Sequence, residues 1–332
     1  MPVGEVMNKP LIVVPADALA YVAVGRMNRL AIRHLGVTDE AGIVAGALSA
    51  RDLLRLRAEG AIELGDELAN AKDVHDLGLS WAKLTGVVAD LSKEGLTANQ
   101  IAAVVSQNVI EMTRRAAELA EAAMLNEGQG RPPCRYAVAV LGSAGRGESL
   151  VAMDQDNALV CADDAPAGAD RWFETFAGRV NDLLHAAGIP NCSGGVMAKN
   201  AAWRGSQAEW RQRIDHWISR SSPQDVLSVD IFFDLRTAYG DVGQVEALWR
   251  HAFEAARGNA GFAKLLAAAI GTIAPGRNWF GGFLTTHGRI DLKRTGLFRI
   301  VSAARALAVC HHVVERSTPE RLEGPDRTQD RP

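Results

Sequence analysis

The sequence predicts an α+β protein. A mixed sheet with flanking helices is preceded by a small α/β unit and followed by a helical domain. Three observations carry this reading. Short continuous apolar runs that read as strands occur near the N-terminus and again after residue 135. Long stretches of helical period separate and follow them. The chain has 332 residues, which favours two or three domains over one.

Residues 1–57 read as the small unit. Leu11 to Val14 form a strand closed by Pro15, and residues 17–34 form a helix on Leu19, Val22, Ala23, Met27 and Leu30. Leu35 to Thr38 and Ile43 to Leu48 are strands joined by the turn Asp39-Glu-Ala-Gly42. Residues 61–127 are helical and lead into the next domain. Thr97 and Gln100 make a capping box, so a helix starts there and ends at Asn126-Glu-Gly.

Residues 128–242 form the central domain. Arg135 to Gly142 is a buried strand running into a glycine-rich turn. Gln155 to Cys161 and Val226 to Arg236 are further strands, and residues 170–187 and 208–219 are helices. Residues 243–324 are helical apart from the loop Ala274 to Phe283. Residues 325–332 are charged, have nothing to bury and are expected to be disordered.

Composition narrows the function. Apolar residues make up 48% and charged residues 23%, as in an ordinary globular protein. The net charge of -3 argues against a nonspecific nucleic-acid binder. Cys134, Cys161, Cys192 and Cys310 are scattered without a C-x-x-C pair, which disfavours zinc or a disulfide framework and fits a reducing cytoplasm. No apolar run approaches the roughly 20 residues a membrane span needs.

The chemistry lies in Leu141-Gly-Ser-Ala-Gly-Arg-Gly-Glu-Ser-Leu-Val-Ala-Met-Asp154-Gln-Asp156. A Walker loop is excluded because no lysine ends it. A dinucleotide fingerprint is excluded because Leu150 stands where its last glycine belongs. What remains is a strand, a turn of exposed amides at Gly142 and Ser143 with Arg146 close by, and an Asp-x-Asp pair. Such a turn binds phosphate oxygens. Alternation on a strand puts Asp154 and Asp156 on one face, where Mg2+ or Mn2+ between them relieves their repulsion.

This run resembles the polymerase-β-like nucleotidyltransferase superfamily. It is similar in particular to nucleotidyltransferases that carry CBS modules and share the N-terminal part of protein-PII uridylyltransferase. The residues concerned are Gly142-Ser143-x-Gly145-Arg146-x-Glu148 and Asp154 to Leu159. Collinear with them are Cys192-Ser-Gly194-Gly195-Val-Met197, Trp203, Glu209-Trp210, Ile231-Phe-Phe-Asp234-Leu-Arg236, Asp291-Leu-Lys293 and Gly296-Leu-Phe298. The resemblance covers residues 65 to 323.

It implies a polymerase-β-like mixed sheet, an N-terminal CBS half-module and a helical substrate domain. It implies transfer of a nucleoside monophosphate from a nucleoside triphosphate to an acceptor, such as the uridylylation of a PII-like regulatory protein. Gly142, Ser143, Arg146 and Glu148 would bind the nucleotide, and Asp154 and Asp156 would bind metal. Asp234 would be the third acid, with Asp230 as the alternative. If both lie on a strand they share a face about 13 Å apart, too far for one metal pair. Arg236 would share that face, and Lys293 and Arg294 would meet the acceptor. In the CBS half, Ser49-x-x-Asp52 would face the phosphate and ribose of an adenine nucleotide.

A lone CBS half also predicts a homodimer, formed through the apolar face of helix 17–34 and Leu53-Leu54. The rival reading is a noncatalytic signalling protein that senses adenine nucleotides. The tryptophans are expected in the core, and His311-His312 at a helix end.

Overall fold

The computed structural model describes residues 2, 10–16, 18, 23, 26–27, 30, 32–39, 41–49, 59–220, 230–272, 285 and 290–329. The N-terminal unit holds a three-stranded sheet in the order β1-β2-β3, with β1 Val13–Pro15, β2 His34–Thr38 and β3 Val44–Ser49. Strands β1 and β2 are parallel, and β2 and β3 antiparallel. The β2–β3 turn is set by Asp39, whose carboxylate accepts from the amides of Ala41 and Ile43, with Gly42 at φ 75°.

Ala23 and Met27 are buried against Val14 and Leu35. Of the described residues of the expected dimer face, Ala23 and Met27 are thus covered within the unit, while Leu30 remains exposed. Strand β3 also leaves Val44 exposed. Asp52, Leu53, Leu54, most of segment 17–34 and the expected loop 274–283 lie outside the described residues.

Helices α1 Glu59–Asn70, α2 Val74–Lys93 and α3 Ala98–Asn126 follow. The Thr97–Gln100 capping box starts α3 as expected: the Thr97 amide donates to Gln100 Oε1 at 2.9 Å. The central sheet runs β6-β5-β4-β7. Its members are β4 Tyr136–Val140, β5 Asn157–Cys161, β6 Arg204–Ser206 and β7 Arg236–Gly240. Strand β4 is antiparallel to β5 and β7, and β5 is parallel to β6, so the sheet is mixed. Between its strands lie α4 Gly142–Arg146, α5 Ala169–Ala186 and α6 Gln207–Arg220. The C-terminal helices are α7 Val242–Ala256, α8 Ala260–Thr272, α9 Phe298–Cys310 and α10 Thr318–Gln329.

All residues of β4 and β5 are buried because both sheet faces are covered. Tyr136, Val138 and Leu159 pack with α1, α2, α3 and α5. Ala137, Ala139, Ala158 and Val160 pack with α6, α7, α8 and α9. The described tryptophans pack in or against the core: Trp210 is fully buried and donates to the Leu159 carbonyl at 2.9 Å, while Trp279 lies outside the described residues. Among the described residues, no helix is long and apolar enough to cross a membrane.

Three sequence expectations are corrected. The strand expected over 226–236 does not form in its described part: residues 230–232 are helical and β7 begins at Arg236. Phe232 and Phe233 are both fully buried, so adjacent residues enter the core and alternation fails. Turn bonds from the amides of Asp234 and Leu235 to the carbonyls of Ile231 and Phe232 close the segment. Next, Asp154 and Asp156 precede β5 and are not part of it. Finally, α10 runs on to Gln329, into the stretch read as a disordered tail. Its start is fixed by Ser317, whose hydroxyl pairs with Glu320, and by buried Arg321.

Candidate active site

The glycine-rich turn is helix α4. Leu141 is its N-cap, and Gly147 ends it in the left-handed region at φ 77°. Gly142 has φ 57°, and a β-carbon there would stand 2.7 Å from Asp156 Oδ2. Glycine at 142 therefore lets the Asp156 carboxylate lie against the turn. The Ser143 hydroxyl lies 3.4 Å from that of Ser149. Helix α3 supports this loop, since the Ser149 amide donates to Ser106 Oγ at 2.8 Å.

The acid pair is held from behind. Leu141 N–H donates to the Asp156 carbonyl, and Gln155 N–H to that of Pro190. The side chains of Gln155 and Asn157 point into a buried network centred on Asn181. Asn181 Nδ2 donates to Gln155 Oε1 at 2.7 Å and to Asn157 Oδ1 at 2.9 Å, and its Oδ1 accepts from Lys199 N at 2.9 Å. Gln155 Nε2 donates to the carbonyls of Asn181 and Ile189, each at 3.0 Å. With the alternate residues pinned inward, Asp154 and Asp156 are the ones left partly exposed. The shared face expected of a strand arises from this anchoring.

Asn181→Leu removes the centre of the network and strands several buried polar groups. It is expected to destabilise the fold by about 2–4 kcal/mol in urea unfolding. Unchanged stability would show that the network does not hold the acid pair.

Asp156 is a carboxylate short of countercharge. Burial first, and Asp154 second, push its carboxyl up to about 6, against a hydrogen bond from Cys192 and the charges of Lys293 and Arg146. Cys192 is half-buried, and its thiol is itself pushed up to about 11 by burial, so it meets Asp156 as a protonated S–H donor. Lys293 is exposed, in the π-helical turn Lys293–Leu297 before α9. The structure thus brings the expected acceptor lysine into the field of the acid pair. Arg294 shares that turn, but its side chain lies outside the described residues.

Asp234 lies elsewhere in the electrostatic pattern. It is fully buried, and both oxygens are taken by guanidinium groups. Oδ1 accepts from Arg305 Nε at 3.3 Å and Arg321 Nη1 at 2.9 Å. Oδ2 accepts from Arg305 Nη2 at 2.6 Å and from Arg146 Nη1. Burial opposes its charge, but the three arginines outweigh it and hold the carboxyl well below the usual carboxylate range. Asp230 pairs with Arg305 as well, so the helical turn brings both acids to one arginine, against the separation expected of a strand.

Glu148 binds Arg146 Nε at 2.9 Å and accepts from the Thr318 hydroxyl at 2.9 Å, which makes it a fastener for α10. Arg236 opens β7. Burial lowers its basicity, and its charged neighbours are Arg316, Glu320 and Glu246. Ser49 ends β3, half-buried.

Arg305, Arg321, Asn181 and Cys192 were not assigned roles from sequence. Arg305 was findable, as a lone charge inside the apolar run Ile300 to Val309. Asn181 was findable too, because it falls on the buried stripe of α5 with Phe173, Ala177 and Leu184. Arg321 sits in a polar helix and gives no such signal.

Residues 82–224 match the family model "Putative nucleotidyltransferase DUF294". Residues 260–329 match its "Putative nucleotidyltransferase substrate binding domain". The chain belongs to the DUF294 nucleotidyltransferase family. Residues 3–59 match a CBS domain. No curated protein matches the chain. In this DUF294 member, the first model spans α4, the acid pair and Cys192, and the second spans Lys293, Arg305 and Arg321.

The residues present fit a divalent metal at the pair. Asp154 and Asp156 offer hard oxygen donors, and among the described residues no cation forms a salt bridge with the half-buried Asp156, which feels Lys293 and Arg146 only through their charge. Among the described residues, no group of three acidic, histidine or cysteine side chains is arranged to hold a metal ion. Asp234, with both oxygens occupied by guanidinium groups, does not fit as a third ligand.

Proposed function

We propose that this chain moves a nucleoside monophosphate from a nucleoside triphosphate onto an acceptor, with Mg2+ or Mn2+ at Asp154 and Asp156. The observation that carries the reading is the half-buried Asp156 carboxylate, set against the Gly142 turn beside Asp154 and within reach of the Lys293 charge. It falls inside the segment that matches the nucleotidyltransferase model.

Bound there, the metal would polarise the phosphate and stabilise the leaving pyrophosphate. The chain's own residues do the rest. The turn at Gly142 and Ser143 receives the triphosphate. Arg146 supplies fixed positive charge beside it. Lys293 meets the negative charge that gathers at the acid pair. The Asn181 network keeps both carboxylates aimed outward without reorganisation. The helical domain brings the acceptor to this face. By likeness to PII uridylylation, that acceptor is a hydroxyl on a regulatory protein, and the CBS unit binds an adenine nucleotide as a signal.

The test incubates the full chain with each labelled nucleoside triphosphate and Mg2+, alone and in cell extract. Pyrophosphate release with label retained on a protein band is the expected result. Adenine-nucleotide binding without turnover in any arm would favour the noncatalytic sensor.

A further inference from the structure

Asp234 joins four separate segments at one buried point. Its backbone carbonyl packs so closely on α4 that a β-carbon at Gly145 would lie 1.8 Å from it. Its carboxylate receives Arg146 from α4, Arg305 from α9 and Arg321 from α10. Arg305 and Arg321 are almost wholly enclosed, at 3% and 0% side-chain exposure. Arg321 also donates to the carbonyls of Phe233 at 2.9 Å and Glu315 at 2.8 Å, so it ties the loop before β7 to the loop before α10. Arg146 is shared: its Nε binds Glu148, which in turn holds Thr318 at the start of α10.

The same guanidinium that stands at the phosphate turn is therefore fixed by a carboxylate whose other ligands belong to the substrate domain. Three cations so close together repel, and Asp234 is the one carboxylate that meets all three, with Asp230 adding countercharge at Arg305 and Glu148 at Arg146.

We propose that Asp234 is a positioning residue that seats the substrate domain and, through Arg146, sets the phosphate turn in the same act. It is not a metal ligand. Seating of α9 and α10 and the aim of Arg146 are one event, because all three arginines meet at the Asp234 carboxylate, whatever Asp230 and Glu148 add at Arg305 and Arg146. When the helical domain lifts, Asp234 keeps Arg146 but loses Arg305 and Arg321, so the carboxylate that aims the guanidinium at the turn is no longer held in place. This deepens the nucleotidyltransferase reading, on which the phosphate half of the proposal rests.

The test uses the full chain with Asp234→Asn, Arg321→Gln and Asp154→Asn. Three properties are read: hydrogen exchange over Phe298–Gln329, affinity for inorganic tripolyphosphate, and Mn2+ affinity by electron paramagnetic resonance. Asp234→Asn and Arg321→Gln are expected to speed exchange and to weaken tripolyphosphate by about tenfold or more. Their Mn2+ affinity should stay within about twofold of the parent. Asp154→Asn should do the reverse, losing Mn2+ with exchange unchanged.

A loss of Mn2+ in Asp234→Asn that matches Asp154→Asn, with exchange unaltered, would overturn the proposal. So would native tripolyphosphate affinity in Arg321→Gln, which keeps the test open if Asp234→Asn does not fold. A parent chain that binds no tripolyphosphate defeats the phosphate-turn reading, while the exchange data still decide whether Asp234 seats α9 and α10. A purely structural Asp234 would lower the folded fraction and leave the affinity of the folded remainder unchanged.

Discussion

Asp156→Asn is expected to abolish triphosphate turnover and, without metal, to make the protein more stable at neutral pH. The two effects share one cause. Burial and the neighbouring Asp154 raise the Asp156 carboxyl from 3.8 to about 6. The folded protein therefore holds this proton more tightly than the unfolded chain does. Stability from this group is full below about pH 4, the unfolded value, and is lost as the pH rises through the folded value. A shift of this size amounts to on the order of 3 kcal/mol, as an upper bound for a group that keeps some solvent.

Asparagine removes the titration. The variant should then be the more stable form at pH 8 in chelator, and its advantage should vanish near about pH 4. Added Mg2+ should stabilise the parent and leave the variant unchanged. Turnover should fall on the order of a thousandfold, about 4 kcal/mol of barrier. Asp154→Asn is an independent check. It removes the second cause of the shift, so the apo protein's pH transition should move down. Thermal melts across pH, with and without metal, read all of this. A variant that melts below the parent at pH 8 in chelator would make Asp156 a structural residue.

Much of this arrangement was legible in the sequence, and the reasons are local. The Thr97 cap, the Asp39 turn, the buried run at 136–140 and the order of turn and acid pair each rest on a few adjacent residues. What failed depends on contacts distant in the chain. Alternation put Asp230 and Asp234 on a strand. The two buried phenylalanines between them instead demand core on neighbouring positions, which a helical turn supplies. No pattern around Asp234 announces that its partners are 71 and 87 residues further on. Glu148 looked like part of the phosphate motif because it follows the turn, yet its second partner is Thr318. The metal pair was the easier half to read, since Asp154 and Asp156 stand two residues apart in one short run after the glycine-rich turn. The arginine hub was the harder half, because a buried charge shows its role only once its counterion is known.

Gly145→Ala is expected to cost more than any other single change in the turn. Sequence alone does not rank the glycines of Gly142-Ser-Ala-Gly145-Arg-Gly147. The structure separates them. A methyl at 145 would lie 1.8 Å from the Asp234 carbonyl oxygen, 2.9 Å from its carbon and 3.2 Å from the Val140 oxygen. All three are backbone atoms, so no rotamer relieves the clash. Either α4 or the Asp234 loop has to move, and that parts Arg146 from Asp234. Overpacking together with a disrupted buried ion cluster predicts a loss of about 3 kcal/mol or more. Gly147→Ala is the control. It meets nothing within 4 Å, but its φ of 77° is left-handed, so it carries only a conformational penalty. That penalty is about 1–2 kcal/mol. Urea unfolding of both variants should therefore show 145 far below 147. Were the two equal, the close seat of Asp234 on α4 would not exist in solution, and the link from the substrate domain to the phosphate turn would lose its backbone half.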